Sequence, residues 1–135
     1  MKWFTLFLWF SLGFNFDRQA LTYHPDSTEE NFDKFFRDFC QNPKFQLERI
    51  KFPLKIVVVE EENRTEKLIQ EKEWRHTNLL KLKRENSKNV LKTVDREPDA
   101  KDVVFTNDKT GEVVHHLFSR VDNRWYLMSI VDESD

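Results

Sequence analysis

Cysteine and glycine are scarce in this sequence, and neither sign of charge is in surplus. The chain of 135 residues holds one cysteine, Cys40, and two glycines, Gly13 and Gly111. A lone thiol makes no internal disulfide and no cysteine-based zinc site, so stability has to come from packing. Two isolated glycines exclude the glycine-rich phosphate cradles of dinucleotide-binding and P-loop proteins. Lysine plus arginine total 22 against 24 acids, a net charge of −2, whereas a nucleic-acid binder needs a strongly basic face. No apolar run approaches the roughly 20 residues that cross a bilayer. No catalytic or metal motif stands out from the background, and no metal, cofactor, nucleic acid or transmembrane span is expected.

Charged residues make up 34% of the chain, above the roughly 25% usual in soluble domains. They interleave by sign, as in "KLKREN" and "VDREPDAKD", the pattern of a solvated surface. At this length one core is expected, burying roughly two-thirds of the surface of the unfolded chain. The opening "MKWFTLFLWFSLG" has a lysine, an apolar run from Trp3 to Phe10, and small residues at Ser11 and Gly13. That is the layout of a secretory signal peptide; the competing reading is a buried N-terminal strand or helix. The division that follows is a signal peptide over 1–13, a leader over 14–26 and one domain over 27–135, exported to the periplasm or cell surface. A lipid anchor would need a cysteine after the cut, where Phe14 stands.

The first helix announces itself in "NFDKFFRDFC". Phe32, Phe35, Phe36 and Phe39 recur at i, i+3, i+4 and i+7, with Asp33, Lys34, Arg37 and Asp38 on the other side. Ser27 and Glu30 have capping-box spacing, and Pro43 predicts an end near Gln41. Burying four phenylalanines is worth about 6–12 kcal/mol before entropy. The polar face balances its charges instead of carrying the basic excess of a membrane-surface helix, so the stripe faces a core. Cys40 falls beside it, as a buried thiol.

Ile50, Phe52, Leu54, Ile56 and Val58 alternate with Arg49, Lys51, Pro53, Lys55 and Val57, a half-buried strand. Pro53 predicts that this strand is at an edge or carries a bulge. Glu60 to Glu62 reads as a solvated turn, and 66–94 fits neither a helical nor a strand template. Three antiparallel strands close the chain, with a bulged turn at Gly111 and a two-residue turn at Asp122-Asn123. Pairing outward from that turn sets Arg120 opposite Trp125, Phe118 opposite Leu127 and His116 opposite Ser129. Both faces of this hairpin are largely apolar. One is for the phenylalanine helix, and the other predicts a dimer interface or cover from the N-terminal segment.

The phenylalanine-striped helix running into "DFCQNPKFQLERIKFPL", then "EKEWRHTNLL", then "HHLFSRVDNRWYLMSI" resembles a domain-of-unknown-function family. Its members are small exported proteins of anaerobic Gram-negative bacteria, often lipoproteins, with a nuclear-transport-factor-like cone fold. The likeness runs from about Asn31 to Asp132, and its most specific pieces are Phe45 to Leu54, Lys72 to Trp74 with His76, and Phe118, Arg120 and Trp125 to Leu127. It implies an α+β fold in which an N-terminal amphipathic helix packs on a curved antiparallel sheet, leaving a pocket inside the cone. It carries no reaction. Wider cone-fold relatives include ketosteroid isomerases and polyketide cyclases, but their carboxylate base and its tyrosine or acid donor find no counterpart here.

A pocket in such a cone would be lined by Phe36, Cys40, Trp74, His76, His116, Phe118, Arg120, Trp125 and Ser129. In that set His116 and Ser129 form a polar pair among apolar neighbours, against which stands a merely satisfied core histidine. Arg120 stacks on Trp125 or marks the rim, and Trp74 and His76 line the mouth unless Trp74 is plain core. A Cys40–His116–carboxylate triad lacks the local signature of such enzymes. The favoured reading is a non-catalytic exported module that binds a small apolar ligand or a protein partner. The alternatives are an isomerase-like or cyclase-like enzyme and a dimeric interaction protein with a filled cone.

Overall fold

A computed structural model describes residues 28–135. The signal-peptide and leader segments, and Ser27 of the expected capping box, lie outside those residues. The elements run α1 (Phe32–Gln41), α2 (Pro43–Glu48), β1 (Ile50–Glu60), β2 (Asn63–Ile69), a 3-10 turn (Glu71–Glu73), α3 (Leu79–Glu85), β3 (Asn89–Glu97), β4 (Ala100–Asn107), β5 (Glu112–Val121) and β6 (Arg124–Asp132). The strands form one curved six-stranded sheet in the order β2-β1-β6-β5-β4-β3. The α+β class stands, but the sheet is mixed and not wholly antiparallel. The chain leaves the helices to enter β1 beside its own last strand, and β1 and β6 run parallel.

Asn31, not Ser27, caps α1, its Oδ1 accepting from the Lys34 amide at 3.0 Å. Asn42 ends α1 and starts α2, accepting from the Lys44 and Phe45 amides at 3.1 Å, with Pro43 in the first helical position, where α2 itself needs no N–H from it. The four phenylalanines are buried, and Phe118 from β5 stands edge-on to all of them, with centroids 5.6, 5.7, 5.9 and 5.3 Å from Phe32, Phe35, Phe36 and Phe39. Edge-to-face contacts of this kind add to area burial. Trp125, Leu127, Ile130, Ile50 and Leu54 complete the floor, and Leu79 of α3 closes one side.

β1 is not an edge strand; β2 and β6 flank it. The other alternative holds, because its register with β6 shifts between Ile50 and Lys55, the stretch that contains Pro53. Ile56 pairs with Ile130 of the core, whereas Val57, expected to point outward into solvent, is 1% exposed on the opposite face. A strand with neighbours on both sides buries residues of either set. The unread stretch 66–94 resolves into seven-residue β2 and α3, the 3-10 turn and the start of β3, pieces too short for periodicity to emerge.

The final hairpin turns where expected, on Asp122 and Asn123 at φ 49° and 62°. Gly111 has φ 74°, a conformation that favours glycine. The pairing holds from Val121↔Arg124 to Phe118↔Leu127 and then slips: Leu117 faces Ser129 and His116 faces Ile130. A bulge at Met128 is the cause. It brings Leu127 and Ile130, three residues apart, onto the core side, and turns Ser129 to the other face. The expected His116–Ser129 pair is therefore not formed.

Candidate functional site

Helix stripe and hairpin bring five of the nine expected pocket residues to one place. Phe36, Cys40, His116, Phe118 and Trp125 are all buried, and the rings are in contact with one another, Phe36 with Phe118 and both Phe118 and Trp125 with Phe32. His116 Nδ1 donates to the Val103 carbonyl at 3.1 Å. Burial pushes its pKa below the ordinary 6.5, outweighing the Val103 bond and the charge of Asp102, so it is a neutral, satisfied core histidine. Burial pushes the Cys40 thiol up, against hydrogen bonding with the backbone of Leu80 and Leu79. No hydrogen bond joins Cys40 to His116.

The other four are dispersed. Trp74 is tied by its Nε1, 2.9 Å from Gln46 Oε1, and packs on the edge of the core. His76 is exposed and lines a separate surface cleft of about 410 Å³ with Thr77, Asn78 and Lys81. Ser129 is on the far face. Arg120 is the rim: its guanidinium carbon lies 5.3 Å from the Trp125 ring, and it pairs with Glu29 at 2.9 Å and Asp99 at 2.6 Å. With Lys101, Phe32 and Trp125 it borders a cleft of about 430 Å³.

Behind that rim two residues of the "FQLER" run act as ties. Arg49 grips both oxygens of Glu30, at 2.8 and 3.0 Å, and donates to the Trp125 carbonyl at 3.2 Å. The Trp125 amide donates to Glu30 Oε2 at 2.8 Å, and its indole to the Glu30 carbonyl at 2.9 Å. Burial by itself pushes the Glu30 carboxyl up, but the Arg49 and Trp125 hydrogen bonds and the charges of Arg49 and Arg124 prevail and hold it below 4.5. Gln46, fully buried, makes four bonds. Its Nε2 donates to the carbonyls of Phe39 and Thr77 at 2.9 and 2.8 Å, and its Oε1 accepts from Trp74 Nε1 at 2.9 Å and the Thr77 amide at 3.1 Å. The motif residues thus fasten helix, loop and sheet together.

The second face of the sheet holds a cluster that the sequence did not reveal. Asp102, 0% exposed, accepts at Oδ2 from Arg96 Nη2 at 2.6 Å and lies 2.9 Å from His115 Nδ1. His115 Nε2 faces Glu133 Oε2 at 3.4 Å. Asp102 Oδ1 has no hydrogen-bond partner among the described residues. The available signal was "HH": adjacent strand residues point to opposite faces, so His115 had to lie opposite His116. Among the described residues the partners of the His115 ring are the Asp102 and Glu133 carboxylates, and no thiol or hydroxyl hydrogen-bonds to it. Around it the face is apolar: Val104, Leu117 and Val131 are half-buried, and Val90 and Met128 are 50% and 38% exposed. Among the described residues the helices pack on the other side. Among the described residues no group of three or more His, Cys, Asp or Glu is arranged to hold a metal, and no helix is long and apolar enough to cross a membrane.

A model for a domain of unknown function, DUF4348, matches residues 17–134. Among solved structures the chain is similar to an NTF2-like protein from Bacteroides fragilis at 19% identity and TM-score 0.59, covering 79% of this chain and 48% of that one. A cystatin-like protein from Bacteroides caccae matches at 23% identity and TM-score 0.58, covering 77% and 76%. A protein from Bacteroides uniformis matches at 24% and 0.56, covering 80% and 78%. These likenesses show the fold, and the chain spans about half of the Bacteroides fragilis protein. Among curated proteins nothing matches.

Proposed function

The chain belongs to the DUF4348 family of domains of unknown function, and from that premise we propose that it is a non-catalytic, exported binding module that takes a protein partner on the second face of its sheet. One observation carries this reading. Five of the nine side chains expected to line a cone pocket are buried against one another, while among the described residues no helix covers Val104, Leu117, Val131 and Met128 on the opposite face. A half-buried apolar patch that runs out to exposed Met128 and Val90 is the kind of surface that marks interaction sites. Lys55 and Glu66 at one margin and Arg96 and Glu133 at the other give the face a rim of both signs, suited to a partner with an apolar centre and a mixed polar border. The isomerase-like alternative needs a carboxylate base across a pocket from its donor, and the buried carboxylate here, Asp102, is occupied by Arg96 and His115.

Photo-crosslinking in the producing cell tests the docking face. A photoreactive residue at Met128 should give protein adducts, and one at Lys44, exposed on the helix side, should not. Equal labelling from both positions, or none from Met128, refutes the proposal. Native mass spectrometry tests the filled interior, since a small molecule lost on denaturation would return the argument to a ligand pocket. Export rests on the layout of residues 1–13, and the mass of the secreted chain should place its start near Phe14.

A further inference from the structure

The outer edge of β2 offers a second, independent surface, and we infer that it pairs antiparallel with β2 of a second copy about a two-fold axis through Thr65. β2 ends the sheet, and every residue from Asn63 to Leu68 is exposed. Its register with β1 runs unbroken from Glu60↔Asn63 to Leu54↔Ile69. The opposite edge, β3, is interrupted between Asp95 and Glu97 and has α3 against it. A regular open edge presents a row of unpaired backbone groups to another strand.

Backbone polarity and side-chain charge select the same register. Glu61 and Glu62 form a two-residue loop, so the flanking pair Glu60↔Asn63 is a hydrogen-bonded one. Alternation then turns the N–H and C=O groups of Asn63, Thr65 and Lys67 toward β1, and those of Arg64, Glu66 and Leu68 outward. A two-fold axis at Arg64 or Glu66 would set like charges face to face, and one at Lys67 would oppose two lysines. At Thr65, outward-facing Arg64 meets Glu66 of the second copy, Glu66 meets its Arg64, and Asn63 meets its Lys67. Directly opposed unlike charges stabilise a strand pair and like charges weaken it. Arg64 already lies 3.7 Å and Lys55 3.6 Å from Glu66 within one chain, so pairing would extend this group across the axis. The product is one continuous twelve-stranded sheet whose two second faces adjoin.

Sedimentation velocity of the full chain over a concentration series, with a charge swap, decides it. The wild-type chain should self-associate. Glu66→Arg should weaken the association about tenfold or more, and the double variant Arg64→Glu/Glu66→Arg should restore it. Glu66→Pro spares the ladder to β1, removing an outward N–H together with the exposed Glu66 carboxylate, and should abolish the dimer with thermal unfolding little changed. A wild-type chain that stays monomeric at about 1 mM, a double variant that fails to recover while folded by circular dichroism, or a dimer that survives Glu66→Pro but is lost in Leu117→Lys, overturns the inference.

Discussion

Replacing Gln46 with leucine tests whether the domain is held by the ties that the "FQLER" run supplies. The volume is nearly kept, so the perturbation is the loss of four hydrogen bonds. One of them has no substitute. The Phe39 carbonyl would normally accept from the amide four residues on, which is Pro43 and has no N–H, so the Gln46 side chain supplies the missing donor at 2.9 Å. Trp74 and Thr77 are half-buried, and water can recover part of their loss. At about 1 kcal/mol net per bond, the sum is about 4 kcal/mol, against a total of roughly 5–15 kcal/mol for a domain. Urea unfolding followed by far-UV circular dichroism should show a lower midpoint with an unchanged slope, and Tm should fall by roughly 15 °C. A loss below about 1 kcal/mol with an unchanged slope would mean that solvent replaces the network at no cost, and the argument that Gln46 joins α1, α2 and the loop before α3 would fail.

Phe36→Ala should cost on the order of 3–5 kcal/mol, and Phe118→Ala, which removes the ring meeting four others, at least as much; a smaller urea-derived loss for either would mean that the core collapses around the cavity. His116 has a folded pKa below its ordinary 6.5, so its contribution is present above pH 6.5 and is lost as pH falls toward the folded value; His116→Gln should flatten the stability profile between about pH 7 and 5. Glu30, also held down, contributes above pH 4.5 and loses that contribution as pH falls through its lower folded value. In Glu30→Gln the acid limb below pH 4.5 should be shallower by thermal melts. Cys40, 0% exposed and with its thiol pKa raised by burial, should react with a thiol reagent only after urea unfolding, and prompt labelling of the native chain would contradict its placement.

Local chemistry made much of this fold readable. Four phenylalanines at helical spacing required a buried face, Pro43 required a helix end, and Asp122-Asn123 tolerated the positive φ values of a tight hairpin turn. With Arg120 paired to Trp125 and His115 pointing away from His116, these features follow from rules that act within a few residues. Whether Cys40, Phe118 and Trp125 would line a hollow or fill it was not legible, because that depends on how closely α1 approaches the sheet. Nor was the bulge at Met128, which moved Ser129 to the far face so that Ile130 could reach the core. The pairing of β1 with β6 joins residues more than seventy apart in sequence, and Asp102, Arg96 and His115 converge from three strands. The sequence by itself determined the elements whose causes lie in neighbouring residues: helix stripe, helix end, hairpin turn and strand alternation. Only the tertiary structure decided the mixed sheet, the packing of Phe36, Cys40, Phe118 and Trp125 in one core and the apolar second face, because each is the result of distant segments competing for the same buried surface.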